Sequence, residues 1–310
     1  MSPEVETLVA ILVATLRAGT PLVFAALGEL VTEKSGVLNL GIEGMMLIGA
    51  VAGFIATVLT GCPFAGVVFA MLAGTLVSLL FGFLTLTLLT NQVATGLALT
   101  IFGIGLSAFV GLGYIGTPIQ GLQPLAVPFL GEIPVLGPLL FRHDPLVYLS
   151  LALLAAVAWF LARTRAGLVL RAVGESHEAA HAIGYPVIAI RYLAVMFGGA
   201  MSGLAGAYLS LVYTPQWTEN MTAGRGWIAL ALVVFATWRP ARVLLGAYLF
   251  GGITIVGLHI QAAGFEASSH LLAMLPYLAT ILVLVLISRD ATRIRLNAPA
   301  ALGKPFHPDA

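Results

Sequence analysis

Apolar residues run along this chain in long blocks, separated by short polar turns. A bilayer core of about 30 Å is crossed by about 20 apolar helical residues. Nine blocks meet or approach that length: 7–27, 36–59, 63–89, 92–112, 145–161, 192–211, 226–238, 243–260 and 271–288. The pattern predicts one all-α domain over residues 1–310, a polytopic transmembrane helical bundle of about nine spans. The block 226–238 is the shortest, about 20 Å as a helix. It reads as a short crossing helix that continues irregularly through 222–225. A re-entrant segment is the alternative, and it would reverse everything after it. Broken backbone at membrane depth is tolerated only where protein or a water-filled cavity covers it.

Small residues recur every fourth position inside several blocks. Gly66, Ala70, Gly74, Ser78 and Gly82 do so in the third, Gly103, Ser107 and Gly111 in the fourth, and Gly199, Gly203 and Ala207 in the sixth. Such stripes let helix backbones approach closely in lipid, so they read as packing faces.

Composition agrees with the pattern. The chain is 60% hydrophobic and 9% charged, against roughly 25% charged in a soluble domain. There is too little polar surface to coat a globule in water. Net charge is +1, which gives no reason to expect nucleic acid as a partner. The single Cys62 excludes an internal disulfide. Glu4 and Glu6 stand where a signal peptide would carry Lys or Arg, so the N-terminus reads as retained.

Charge also sets an orientation. With nine alternating spans and the N-terminus outside, eleven of the 14 basic residues fall in the cytoplasm: Lys34, Arg163, Arg165, Arg171, Arg191, Arg239, Arg242, Arg289, Arg293, Arg295 and Lys304. Arg142 and Arg225 fall outside, and Arg17 lies within the first span. The C-terminus and the loop 162–190 are therefore expected in the cytoplasm, and the loop 113–144 outside.

The cytoplasmic loop contains GESHEAAHAIGYP, residues 174–186. His177-Glu178-Ala179-Ala180-His181 fits H-E-x-x-H, which puts two zinc-binding rings on one helical face with Glu178 as general base. A third ligand is hard to find. Glu175 is too close in sequence, and Asp290, His307 and Asp309 lie in a tail read as frayed. The alternative is a short rigid knob: Ser176 as N-cap, Gly184 as a left-handed stop and Pro186 as a block. Ala179 and Ala180 would allow close approach to a partner groove, and Glu178 would offer a carboxylate.

Other stretches favour the knob. E-A-A-x-x-x-G (178–184), ALGELVTEKSGVLNLGIEGMMLIGA (26–50), NQVATGLALTIFG (91–103), TAGRGWIALALVVFATWRPARVLLGAYLFGG (222–252) and MLPYLATILVLVLIS (274–288) occur in this order. Together they resemble the permease subunits of ABC importers of the branched-chain amino acid/ribose type, nearest the branch associated with nucleoside and simple-sugar uptake. That family's docking segment has Asn-Pro or a similar pair where this chain has Ser176-His177. The resemblance implies a transport subunit, not an enzyme, in the bacterial inner membrane. Glu175, Ser176, Glu178, Ala179, Ala180 and Gly184 would couple it to a cytoplasmic ATPase. It further implies a second, related permease subunit and a periplasmic or lipoprotein substrate-binding protein. No G-x-x-x-x-G-K-[ST] phosphate loop occurs, so this chain is not expected to supply the energy itself. The resemblance implies no cofactor on this chain, with ATP and Mg on the partner ATPase.

Four polar residues stand at or inside the predicted spans. Asn39 and Glu43 lie one turn apart in the second. An ionised acid at the bilayer centre costs about 2.5–3.5 kcal/mol, so Glu43 needs a partner. Arg17 is the candidate, through a structural Arg17–Glu43 or Asn39–Glu43 bond; the other reading lines a substrate path. Asn91 and Gln92 open the fourth span, Asn91 as a helix cap or the pair as a polar gate. Trp217 and Trp227 read as interfacial anchors. Two further classes stay open: an ion-coupled secondary transporter using Glu43, and the zinc membrane peptidase.

Overall fold

The computed structural model describes residues 2–125, 128–262, 269–288 and 297–307. Arg289, Asp290, Arg293, Arg295 and Asp309, named above, lie outside the described residues. Twelve α-helices and no strand occur among the described residues. They are α1 (Pro3–Lys34), α2 (Ile42–Thr60), α3 (Pro63–Gly82, extended by a π turn, Phe83–Thr87), α4 (Gln92–Gly111), α5 (Leu136–Leu140), α6 (Pro145–Arg163), α7 (Arg165–Glu175), α8 (His177–Ala182), α9 (Val187–Tyr208, extended by a π turn, Leu209–Tyr213), α10 (Arg225–Phe235), α11 (Pro240–Ala262) and α12 (Ser269–Ser288).

Among the described residues seven helices are long and apolar enough to cross a membrane: α1, α2, α3, α4, α6, α9 and α11. α10 has 11 residues, about 16 Å, shorter than the predicted seventh span. α12 forms where the ninth was expected. Two boundaries differ in ways that matter. α1 runs on past residue 27 to Lys34. The second span begins only at Ile42, because residues 35–41 are irregular. Asn39 is therefore not on the helix that carries Glu43.

The small-residue stripes are packing faces. Gly66, Ala70, Gly74, Ser78 and Gly82 are all buried. A Cβ at Gly74 would overlap the Gly199 carbonyl, and one at Gly203 the Ala70 carbonyl. In α4, a Cβ at Gly103 would stand 2.5 Å from Gly44 Cα. Trp217, expected at an interface, is fully buried over Gly111. The absent Cβ at Gly111 makes room for the indole.

The helices repeat one arrangement twice. α1 packs on α11 as α9 packs on α3, and α10 packs on α1 as α2 packs on α9. α2 touches α3 and α4 as α10 touches α11 and α12. α1 meets α9, and α2 meets α10. In both halves a long helix leads through an irregular connection into a helix with Gly at its N-cap, Gly41 or Gly224. If α1, α2, α3, α4, α6 and α9 cross in turn, α9 runs opposite to α1, and the repeat is inverted.

Candidate translocation centre and coupling helix

The α1–α2 connection, residues 35–41, is buried protein without helical hydrogen bonding. Ser35, Gly36 and Val37 N–H still bond the last carbonyls of α1, and beyond them side chains take over. Leu38 N–H donates to Gln92 Oε1 at 2.8 Å, and Asn39 N–H to Glu29 Oε1 at 3.0 Å. Gly41 N–H donates to Asn39 Oδ1 at 2.9 Å, and Thr100 Oγ1 donates to the Leu40 carbonyl at 3.0 Å. An unpaired buried backbone group costs as much as a lost hydrogen bond, so these four side chains fix the connection. Gln92 and Asn39 are thus brought together. Asn91 is not: it is exposed and caps α4, accepting from Ala94 N–H at 3.0 Å.

Glu43, in the first turn of α2, accepts three hydrogen bonds from the α9–α10 connection and the start of α10. Thr222 Oγ1 donates to Oε1 at 2.5 Å, Gly224 N–H to Oε1 at 2.8 Å and Gly226 N–H to Oε2 at 2.6 Å. The first N–H groups of a helix lack internal partners and carry a partial positive charge. A carboxylate buried at 3% exposure is therefore solvated by protein. Gly224, at φ +82°, takes a left-handed turn that L side chains rarely adopt, and Gly226 leaves room for the Glu43 backbone. Arg17 is not the partner weighed from sequence. Its Nη2 donates to the Val212 carbonyl at 3.3 Å.

Two acids passed over in the sequence complete this centre. Glu29 and Glu33 are each 1% exposed. Glu33 Oε2 accepts from Trp238 Nε1 at 2.5 Å, joining α1 to the α10–α11 corner. There Thr237 and Trp238 both have positive φ, 49° and 53°. Both acids lie beyond residue 27, where the first predicted span ends, and Glu33 stands in the polar run TEKSG. Their i, i+4 spacing on one helical face was the available signal.

A cavity of about 320 Å³ opens between α1, α10, α11 and α12. It is lined by Leu22, Arg225, Phe250, Thr254, Gln261 and Tyr277 among others.

α8 is the short capped helix that the loop motif predicts. Ser176 Oγ accepts from Ala179 N–H at 3.2 Å, and Gly184 follows the helix at φ +90°. Glu175, Glu178, Ala179 and Gly184 are exposed, and Ser176 is half-buried. Ala180 is not available for docking: it faces inward at 2% exposure, against Val173, Val187 and Phe306. His177 is buried, with Nδ1 2.7 Å from the Val173 carbonyl. Burial and the positive charge of Arg191 hold its pKa down at about 4. Among the described residues no group of three or more His, Cys, Asp or Glu is placed to hold a metal. Of the tail read as frayed, the described residues are docked as far as Phe306, while His307 is exposed.

Residues 11–287 match the family model described as branched-chain amino acid transport system / permease component. The chain belongs to this family. The putative glucose ABC transporter permease TsgC13 of Haloferax volcanii is 40% identical over 95% of this chain and 96% of its own length. The guanosine ABC transporter permease NupQ of Bacillus subtilis is 32% identical over 97% of this chain and 98% of its own. A second Bacillus subtilis guanosine permease, NupP, is 25% identical over 79% and 73%. The chain is thus a multi-pass permease subunit of an ABC importer, a transport subunit and not an enzyme.

Proposed function

We propose that the chain forms half of the translocation path for a neutral nucleoside or simple sugar. The substrate-facing groups would be drawn from the centre around Asn39, Glu43 and Gln92, with Asn91 at the mouth. The observation that carries the coupling part is α8: a capped, two-turn helix that exposes Glu178 and Ala179 between the ends of α7 and α9. Such a helix is stiff enough to pass the motion of an ATPase to α9. Glu175, Ser176, Glu178, Ala179 and Gly184 form its outer face and its ends. Ala180 contributes from within, by seating the helix.

Charge supports a neutral solute. Glu43 is engaged by three donors, and Arg17 by a backbone carbonyl. The glucose and guanosine relatives keep both solute classes open. A second, different permease chain would form the other half, in keeping with the two distinct guanosine permeases of Bacillus subtilis. A substrate-binding protein would dock outside, on the 113–144 side. Lys34, Arg191 and Lys304 meet at one end of the bundle, which supports a cytoplasmic C-terminus, an external N-terminus and residence in the inner membrane.

The test is a cysteine at Ala179 in a Cys62→Ser background, crosslinked in cells that express the neighbouring ATPase. Capture of the ATPase is expected. Labelling of that cysteine from the outside, or no capture, would overturn the reading. Uptake of guanosine and of glucose by the reconstituted complex, with ATP inside, separates the two substrates. Uptake driven by an ion gradient without nucleotide would favour a secondary transporter.

A further inference from the structure

The two histidines of H-E-x-x-H find no task in coupling, yet both rings meet one side chain. Phe306 stands edge-on to His177, with centroids 5.9 Å apart, and to His181, at 5.4 Å. Phe306 is 5% exposed and shares an apolar cluster with Val173, Ala180 and Val187. It belongs to a C-terminal segment, residues 297–307, that is fastened at several more points. Ala301 N–H donates to the Gly174 carbonyl at 2.9 Å, at the end of α7. Gly303 N–H donates to the Gly36 carbonyl at 3.1 Å, in the α1–α2 connection. Arg191 Nη2, from α9, donates to the Lys304 carbonyl at 3.2 Å and to the Gly36 carbonyl at 3.4 Å. Lys34 Nζ donates to the Asn297 carbonyl at 2.6 Å.

One strip of backbone therefore touches the coupling helix, α9 and the connection that leads to Asn39 and Glu43. α8 has little other purchase on the bundle: six residues long, it is anchored inward through His177 and Ala180. From this juxtaposition we infer that the C-terminal segment is a positioning strap for the coupling helix. Phe306 seats α8 through the two histidine rings, and the bonds of Gly303 and Arg191 at Gly36 carry its displacement to the α1–α2 connection. The inference rests on α8 being the coupling helix. It goes beyond that reading by assigning work to the tail and to the His177/His181 pair. It also gives a physical reason for His at position 177: the ring packs against Phe306.

The experiment uses the assembled transporter in lipid, with its ATPase, second permease and binding protein. Phe306→Ala is compared with Phe306→Leu and the parent chain, with guanosine and glucose as probe solutes. The expected result for Phe306→Ala is a fall in uptake kcat of about tenfold, with KM within about twofold. ATP hydrolysis should continue but lose its stimulation by loaded binding protein, and Phe306→Leu should recover most of the coupling. The Ala179 crosslink to the ATPase should persist in Phe306→Ala, because the outer face of α8 is untouched. Uptake and stimulated hydrolysis within about twofold of the parent would overturn the strap. Absence of the crosslink in the parent chain would instead overturn the coupling reading. If Phe306→Ala fails to assemble, Phe306→Leu and Phe306→Met carry the test: graded coupling supports the strap, and coupling equal to the parent in both overturns it.

Discussion

The two irregular connections of the repeat solve one problem in opposite ways. The α1–α2 connection is buried and held by four side chains, three from helices α1 and α4 and one its own: Glu29, Gln92, Thr100 and Asn39. At the α9–α10 connection one carboxylate, Glu43, takes the Thr222 hydroxyl and the Gly224 and Gly226 N–H groups, while Arg225 and Tyr277 hold the carbonyls of Met221, Thr222 and Ala223. Asn220 and Ala223 stand at positive φ, as does Gly224. Ala223 is exposed. The helices they feed differ likewise: α2 has 19 residues and is buried over most of its length, while α10 has 11. Segments with few buried contacts open most easily. The first half is therefore a platform, and one of its side chains, Glu43, gathers the three donors that the second connection and the start of α10 send to it.

The sharpest way to break this contrast is Glu43→Ala. It strips three donors of their acceptor at once. Hydrogen bonds to a charged group contribute about 1.5–3 kcal/mol each, so the loss should be on the order of 4 kcal/mol or more. The expected outcome is a large fall in thermal stability in detergent and loss of uptake. Melting within a degree or two of the parent would show that α10 does not hang from Glu43. Gly74→Val comes next. It forces α3 off the α9 backbone that both halves share, at about 1–3 kcal/mol. The readout is again the melting temperature, and Gly105→Val, where nothing stands within 4 Å, is the control.

On the platform side, Gln92→Leu leaves one part-buried N–H, that of Leu38, without its acceptor, at about 1 kcal/mol. Because three other side chains still hold the connection, the fall in melting temperature should be smaller than that of Glu43→Ala. If Gln92→Leu is as damaging as Glu43→Ala, the contrast fails. Asn91→Ala removes only an exposed N-cap, about 1 kcal/mol, and should leave transport near normal; a large transport defect with unchanged melting would favour the polar gate.

The smallest effect concerns acid. His177 has its pKa lowered to about 4 from an ordinary value near 6.5. The groups facing it are Arg191, Glu178, the Phe306 ring and the carbonyls of Val173 and Lys304. A depressed pKa means the unfolded chain binds the proton more readily. The associated stability is complete above about pH 6.5 and is lost as pH falls towards 4. Proteolysis of the C-terminal segment should rise over that window, and His177→Phe should flatten the profile.

Several elements were legible because they are local or compositional. Ser176, Asn91 and Gly184 act at their own helix ends, within a few residues. The stripes of Gly66 to Gly82 and of Gly199 to Ala207 follow from a period of about four. The expected Arg17–Glu43 pair failed because it assumed that the only cation near the middle of a span must meet the only acid seen there. Peptide N–H groups at a helix start do the same work, and they leave no mark of charge in a sequence. Phe306 was invisible for a related reason: nothing in a ten-residue tail says which surface it will cover.

The amino-acid sequence by itself settled the all-helical membrane class, the caps at Ser176 and Asn91 and the family, since each depends on hydropathy, short-range periodicity or a contiguous motif. Only the tertiary structure decided that Glu43 holds Thr222, Gly224 and Gly226, that Glu33 meets Trp238, and that the tail runs beneath α8. Those contacts join residues some 130 to 205 positions apart. Their formation depends on two halves closing on each other, a condition that no local pattern encodes.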